Sequence, residues 1–130
     1  MTKDGVLVDT SVLIDFLKNA EPNADAVTAL ISVKRLLTTG IIMAELLQGT
    51  RNTKEEAYVD ELLDGIPSIE ITVGLWMKAG KLSCSLRRKG ITLPLTDVAI
   101  AAVAIEHNLQ VFTLDGHFEQ IPGVKLYKVR

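Results

Sequence analysis

Gly5-Val-Leu-Val-Asp9-Thr-Ser-Val-Leu-Ile-Asp-Phe-Leu-Lys18 holds two kinds of segment within fourteen residues. Gly5 to Asp9 is a short, continuous apolar run, as expected of a strand buried on both faces. From about Ser11 to Lys18 the pattern becomes helical, and the Glu21-Pro22-Asn23 break ends it. The rest of the chain repeats the alternation. Helix is predicted over about Ala24 to Lys34, strand over Leu36–Thr39, and a short apolar helix over Ile41 to Gln48. Asn52-Thr53 can cap a further helix, with Glu55 and Glu56 in its first turn and its end at Gly65-Ile66-Pro67. Ile69 to Thr72 reads as a strand, and Val73 to Lys89 as a helix with Gly90 just past its end. A helix from about Thr96 to His107 and strands at Val111–Thr113 and Lys125–Lys128 close the chain. Strands separated by helices require crossovers, so the fold class is α/β, a mainly parallel central sheet flanked by helices on both faces.

At 130 residues the chain suits one domain covering residues 1–130, long enough for a real core. Hydrophobic residues at 48% and charged residues at 23% exclude intrinsic disorder. A net charge of −2 argues against a protein that coats nucleic acid generally. Cys84 is the one cysteine, which excludes an internal disulfide and a cysteine-based zinc site and fits a reducing, cytoplasmic setting. The longest apolar run, Val98 to Ile105, has eight residues, against roughly 20 for a membrane-spanning helix. A mean hydropathy of +0.27 is high for a short soluble chain and points to apolar surface used in self-association.

Four carboxylates stand beside strongly apolar segments. Asp9 ends the first strand, the end at which parallel α/β sheets collect ligands, although Asp9 or Thr10 serves equally well as a helix cap. Glu45 lies inside Ile41-Ile-Met-Ala-Glu-Leu-Leu47, on a half-polar stripe with Ile41, Ile42, Gln48 and Gly49 that also suits solvent. Asp97 opens a helix that continues with eight apolar residues, where the helix dipole alone favours an acid. Asp115 follows the strand Val111–Thr113 in an Asp-Gly turn, and turn chemistry accounts for it. If they converge, two carboxylates about 4 Å apart repel by roughly 4 kcal/mol at an effective dielectric of 20. Three or four together need a cation to remain ionised. Oxygen ligands with little histidine and no cysteine select Mg²⁺ or Mn²⁺, and such a site supports metal-assisted attack of water on a phosphodiester.

Val6-Leu-Val-Asp-Thr-Ser-Val-Leu-Ile-Asp-Phe16, Met43-Ala-Glu-Leu46, Leu93-Pro-Leu-Thr-Asp-Val-Ala-Ile-Ala-Ala102 and Val111-Phe-Thr-Leu-Asp-Gly-His-Phe118 together resemble the PIN-domain nucleases, most closely the VapC-like toxin ribonucleases of toxin–antitoxin pairs. The likeness spans nearly the whole chain, with the acids 36, 52 and 18 residues apart. It implies that Asp9, Glu45 and Asp97 are metal ligands and that Asp115 is a fourth, more variably used acid. Thr10 and Thr113 match hydroxyl positions beside the site, where they bond a carboxylate or a water. It further implies an endoribonuclease using one or two Mg²⁺ or Mn²⁺ ions, a homodimer, and a cognate antitoxin that occupies the acidic groove. Asp15, six residues after Asp9, reads as structural or as a partner standing behind the ligands. Gly116 departs from the pattern, because the family often carries a basic residue after the fourth acid.

A polyanionic substrate needs positive charge around the acids, and Arg51, Lys54, Arg87 and Arg88 are the candidates, beside Lys34, Arg35 and Lys89. Arg87, Arg88 and Lys89 also sit where a helix end favours cations. His107 reads as a helix-end residue, and His117, two residues past Asp115, as turn and surface packing with approach to a phosphate as the alternative. Trp76, Gly80 and Cys84 read as core or dimer packing. Two other functions remain open: an RNA- or antitoxin-binding module with weak turnover, and an aspartyl-phosphate phosphatase. The second lacks the usual acid two residues after its nucleophile, where Ser11 stands, and DNA remains open as a substrate.

Overall fold

The computed structural model describes residues 4–129. Among them are five strands, β1 (Val6–Val8), β2 (Leu36–Thr39), β3 (Ser68–Ile69), β4 (Gln110–Phe112) and β5 (Lys125–Leu126). The α-helices are α1 (Thr10–Leu17), α2 (Asn23–Ser32), α3 (Gly40–Gln48), α4 (Thr53–Asp64), α5 (Val73–Arg88) and α6 (Leu95–Glu106). All strand pairs are parallel, in the order β3-β2-β1-β4-β5. The expected α/β class and parallel sheet are therefore present.

The strand order reverses at β1. From β1 the chain steps outward through β2 and β3, then crosses back to β4 on the other side. Right-handed crossovers then place α1 to α4 on one face and α5 and α6 on the other. The packing follows this division: α1 lies against α2 and α3, α3 against α4, and α5 against α6. Val6, Leu7 and Val8 point alternately to opposite faces and all are fully buried, so helices cover both sides of β1. The seven residues Val98 to Ala104 of α6 are all buried, which explains its apolar circumference. Ala79 of α5 meets Ala99 and Ala102 of α6, and these small side chains let the two helices approach closely.

Local chemistry sets the element ends. Asn52 caps α4 by accepting from the Glu55 N–H at 2.9 Å. Thr72 caps α5 by accepting from the Leu75 N–H, which shortens β3 to Ser68–Ile69 where the pattern alone suggests Ile69–Thr72. Gly90 has φ of +84°, and the N–H groups of Gly90 and Ile91 donate to Arg87 and Leu86 O, closing α5 as expected of a C′ glycine. Residues Gly116–Gln120 form a 3₁₀ turn, anchored by the buried Phe118, where a simple turn is expected. No helix among the described residues is long and apolar enough to cross a membrane.

Candidate active site

The strand-order reversal leaves a crevice at the carboxyl ends of β1 and β4, the place where open α/β sheets bind ligands. Asp9 stands at the end of β1, only 6% exposed. It occupies the N-cap position of α1, yet its side chain caps nothing. Its Oδ2 instead accepts from Ser11 Oγ at 3.0 Å and Thr113 Oγ1 at 2.8 Å. Of the two readings open for Asp9, capping is therefore excluded.

Those two hydroxyls also hold the loop that follows β4. Thr113 Oγ1 accepts from the Asp115 N–H at 2.9 Å, and Ser11 Oγ accepts from the Leu114 N–H at 3.1 Å. The Asp9 carboxylate and the loop after β4 are thus fixed relative to each other across the β1–β4 pair. Ser11 is missed by sequence reasoning about the acids, although it stands inside the Asp-Thr-Ser triplet.

Asp97 enters from the first turn of α6 and Asp115 from the start of the 3₁₀ turn. Asp115 caps that turn by accepting from the His117 N–H at 3.0 Å. His117 Nδ1 lies 2.7 Å from Asp97 Oδ2 and 3.1 Å from Asp115 Oδ1. This overturns the surface-packing reading of His117: the ring is inserted between two acids. Its one sequence signal is the Asp-x-His spacing after β4. Asp97, Asp115 and His117 form a set whose ligand atoms all lie within 4.8 Å of one another.

Burial raises the Asp97 pKa first, and the charges of Asp9 and Asp115 push it further, against a lowering by the His117 bond. Asp9 is therefore close enough to act electrostatically while standing outside the tight set. Hydrogen bonding to Asp97, with the charges of Asp115, Asp97 and Asp9, raises the pKa of His117 against its desolvation. Glu45 also lies outside the tight set. It is half-buried, and its Oε1 accepts from Thr10 Oγ1 at 2.9 Å, which anchors it to the residue next to Asp9.

Glu45 also lines a groove of ≈ 560 Å³ between α1, α3 and α4, with Ile14, Leu17, Leu46, Tyr58 and Val59. Arg51 stands on its rim, already paired with Glu55 at 2.9 Å, and Lys54 is exposed one turn away. Arg87 and Arg88 line a separate hollow of ≈ 460 Å³ with Leu95, two residues before Asp97. Arg35 precedes β2 and donates to Asp4 O at 2.8 Å, so it lies at the amino end of the sheet, away from the acids. Asp15 accepts from Asn23 Nδ2 at 2.9 Å and joins α1 to α2, a structural role.

Carboxylates with one imidazole are a donor set suited to a small divalent cation, whose charge would offset both the burial and the neighbouring carboxylates that raise Asp97.

A model of the PIN domain matches residues 6–124. Ribonuclease VapC11 of Mycobacterium tuberculosis is 26% identical over 129 residues, covering 92% of each chain. A DNA-bound VapBC structure from Salmonella typhimurium superposes with a TM-score of 0.83 at 22% identity, covering 95% of this chain and 97% of the other. A toxin-antitoxin complex from Klebsiella pneumoniae gives a TM-score of 0.73 at 26% identity, over 96% of this chain and 100% of the other.

Proposed function

The chain belongs to the PIN-domain family, and from that premise we propose that it is a Mg²⁺- or Mn²⁺-dependent endoribonuclease, the toxin of a toxin–antitoxin pair, working in the cytoplasm. The observation that carries this is the gathering of Asp9, Asp97 and Asp115, with Glu45 moored beside them, at the carboxyl ends of β1 and β4. The similarity to a protein named a VapC ribonuclease along nearly its full length supports RNA as the substrate.

Asp9, Glu45, Asp97 and Asp115 would hold one or two cations. A cation bound there supplies Lewis acidity to the scissile phosphate and lowers the pKa of a water. The water oxygen bonds to phosphorus as the bond from phosphorus to the leaving ribose oxygen breaks, and a proton passes to that oxygen. Thr113 and Ser11 fix the Asp9 carboxylate for this work, and Thr10 fixes Glu45. Arg87 and Arg88, exposed and lining a hollow with Leu95 of the helix that carries Asp97, are better placed to meet a phosphate backbone than Arg51, whose charge Glu55 already answers. Lys54 remains a candidate contact on the groove side.

The partners follow from two apolar surfaces. An antitoxin segment laid along the groove of Ile14, Leu17, Leu46, Tyr58 and Val59 would reach Glu45 and block the site. Val73, Trp76 and Met77 are exposed on α5 and suit a homodimer contact.

The test is a map of new RNA 5′ ends after brief induction, comparing the wild type with Asp97→Asn at matched expression. New ends confined to the wild type are expected. Equal ends with both proteins would sink the metal-ligand role of Asp97, and no new ends with either soluble, antitoxin-free protein would sink the ribonuclease assignment in favour of a binding role.

A further inference from the structure

His117 is where the acidic site departs from an all-oxygen donor set. Its Nδ1 is shared between two carboxylates, 2.7 Å from Asp97 Oδ2 and 3.1 Å from Asp115 Oδ1. One ring nitrogen carries at most one proton, so it cannot donate fully to both. Neighbouring donors around a six-coordinate cation with bonds near 2.1 Å stand about 3.0 Å apart. The two measured separations bracket that edge. The residue is also held in place: the backbone N–H of His117 donates to Asp115 Oδ1, and the next residue, Phe118, is buried in the core.

We infer that His117 is itself a ligand of the cation, so that His117, Asp97 and Asp115 form a mixed nitrogen–oxygen set that holds Mn²⁺ in preference to Mg²⁺. The inference rests on the proposed metal-dependent reading and adds which cation the site selects. Imidazole is a good ligand for first-row transition ions and a poor one for Mg²⁺, which keeps oxygen ligands and water. A histidine that merely bonded a ligating carboxylate from outside would support both ions alike.

Electron spin-echo spectroscopy of Mn²⁺ bound to the purified chain separates the two roles, because only a directly bonded imidazole gives strong ¹⁴N coupling. The wild type is expected to show that coupling. His107→Gln, which removes the other histidine, should keep it, and His117→Gln and His117→Asn should lose it with unchanged far-UV circular dichroism. Mn²⁺ affinity should fall about tenfold in the His117 variants while Mg²⁺ affinity changes little. Mn²⁺ bound to the wild type without direct ¹⁴N coupling would overturn the inference, whatever the variants do. So would parallel losses of Mn²⁺ and Mg²⁺ affinity. Mn²⁺ binding unchanged by Asp97→Asn would instead overturn the metal site itself, and the two failures are distinct.

Discussion

Removing the charge of Asp97 should leave the protein at least as stable without metal, and less stable than the wild type with it. The ligand oxygens of Asp97 and Asp115 lie within 4.8 Å of each other. Two unit charges at that distance repel by roughly 3.5 kcal/mol at an effective dielectric of 20. The Asp115 side chain is 36% exposed, so water screens much of this, leaving about 1–2 kcal/mol to be relieved. Against it, the 2.7 Å bond between His117 and Asp97 loses its charge assistance, which offsets part of that relief. In chelator, Asp97→Asn should therefore match the wild type or exceed it by up to about 1 kcal/mol. A divalent cation at about 100 times its Kd adds about 2.7 kcal/mol to a protein that binds it. For a chain of this size that raises the wild-type Tm by roughly 8–10 °C, with little change in the variant. Thermal unfolding by circular dichroism, in EDTA and in saturating Mg²⁺ or Mn²⁺, reads both effects. A variant destabilised by more than about 2 kcal/mol in EDTA, or equal cation-induced shifts in both proteins, would refute the reasoning.

Thr113→Val keeps the shape of the strand end but removes the donor to Asp9 and the acceptor for the Asp115 N–H; it should cost about 1–3 kcal/mol in urea unfolding and lower cleavage. Asn52→Ala removes the α4 cap and should cost about 0.5–2 kcal/mol by the same measurement, with the catalytic acids untouched. Lys78 bonds Glu106 between α5 and α6 and holds its carboxyl below the usual range. A depressed folded-state pKa gives stability that is present above the unfolded value near about 4.3 and lost as pH falls through the folded one. Lys78→Ala should therefore lower Tm at neutral pH in low salt, and the difference should close in acid and in high salt.

Much of the fold is legible in the sequence because burial on both faces leaves an unbroken apolar signature. Val6 to Val8 and Val98 to Ala104 announce the central strand and the central helix without any tertiary knowledge. That Asp9 and Asp115 follow strands is legible for the same reason. Whether Asp9 caps α1 is not, since the choice depends on Thr113, 104 residues away. The place of His117 is hidden likewise: it follows from a 3₁₀ turn whose geometry is set by seating Phe118 in the core. Arg35 illustrates the reverse case, a basic residue whose composition suits nucleic acid and whose strand end does not. The shortened β3 reflects a local competition in which Thr72 caps a helix that its β-branched side chain alone would not announce.

The central place of β1 has a consequence for synthesis. β1 is bordered by β2 and by β4, and the latter is incomplete until residue 112 has been added. Asp9 waits until the chain has grown by 104 residues for the hydroxyl of Thr113 that holds it, and Asp115 comes later still. A truncated or stalled product ending before Thr113 therefore contains Asp9 and Glu45, even Asp97, with no crevice to put them in. For a chain proposed to attack the cell's own RNA, the chain order delays the gathering of its acids until β4 and Thr113 have been made.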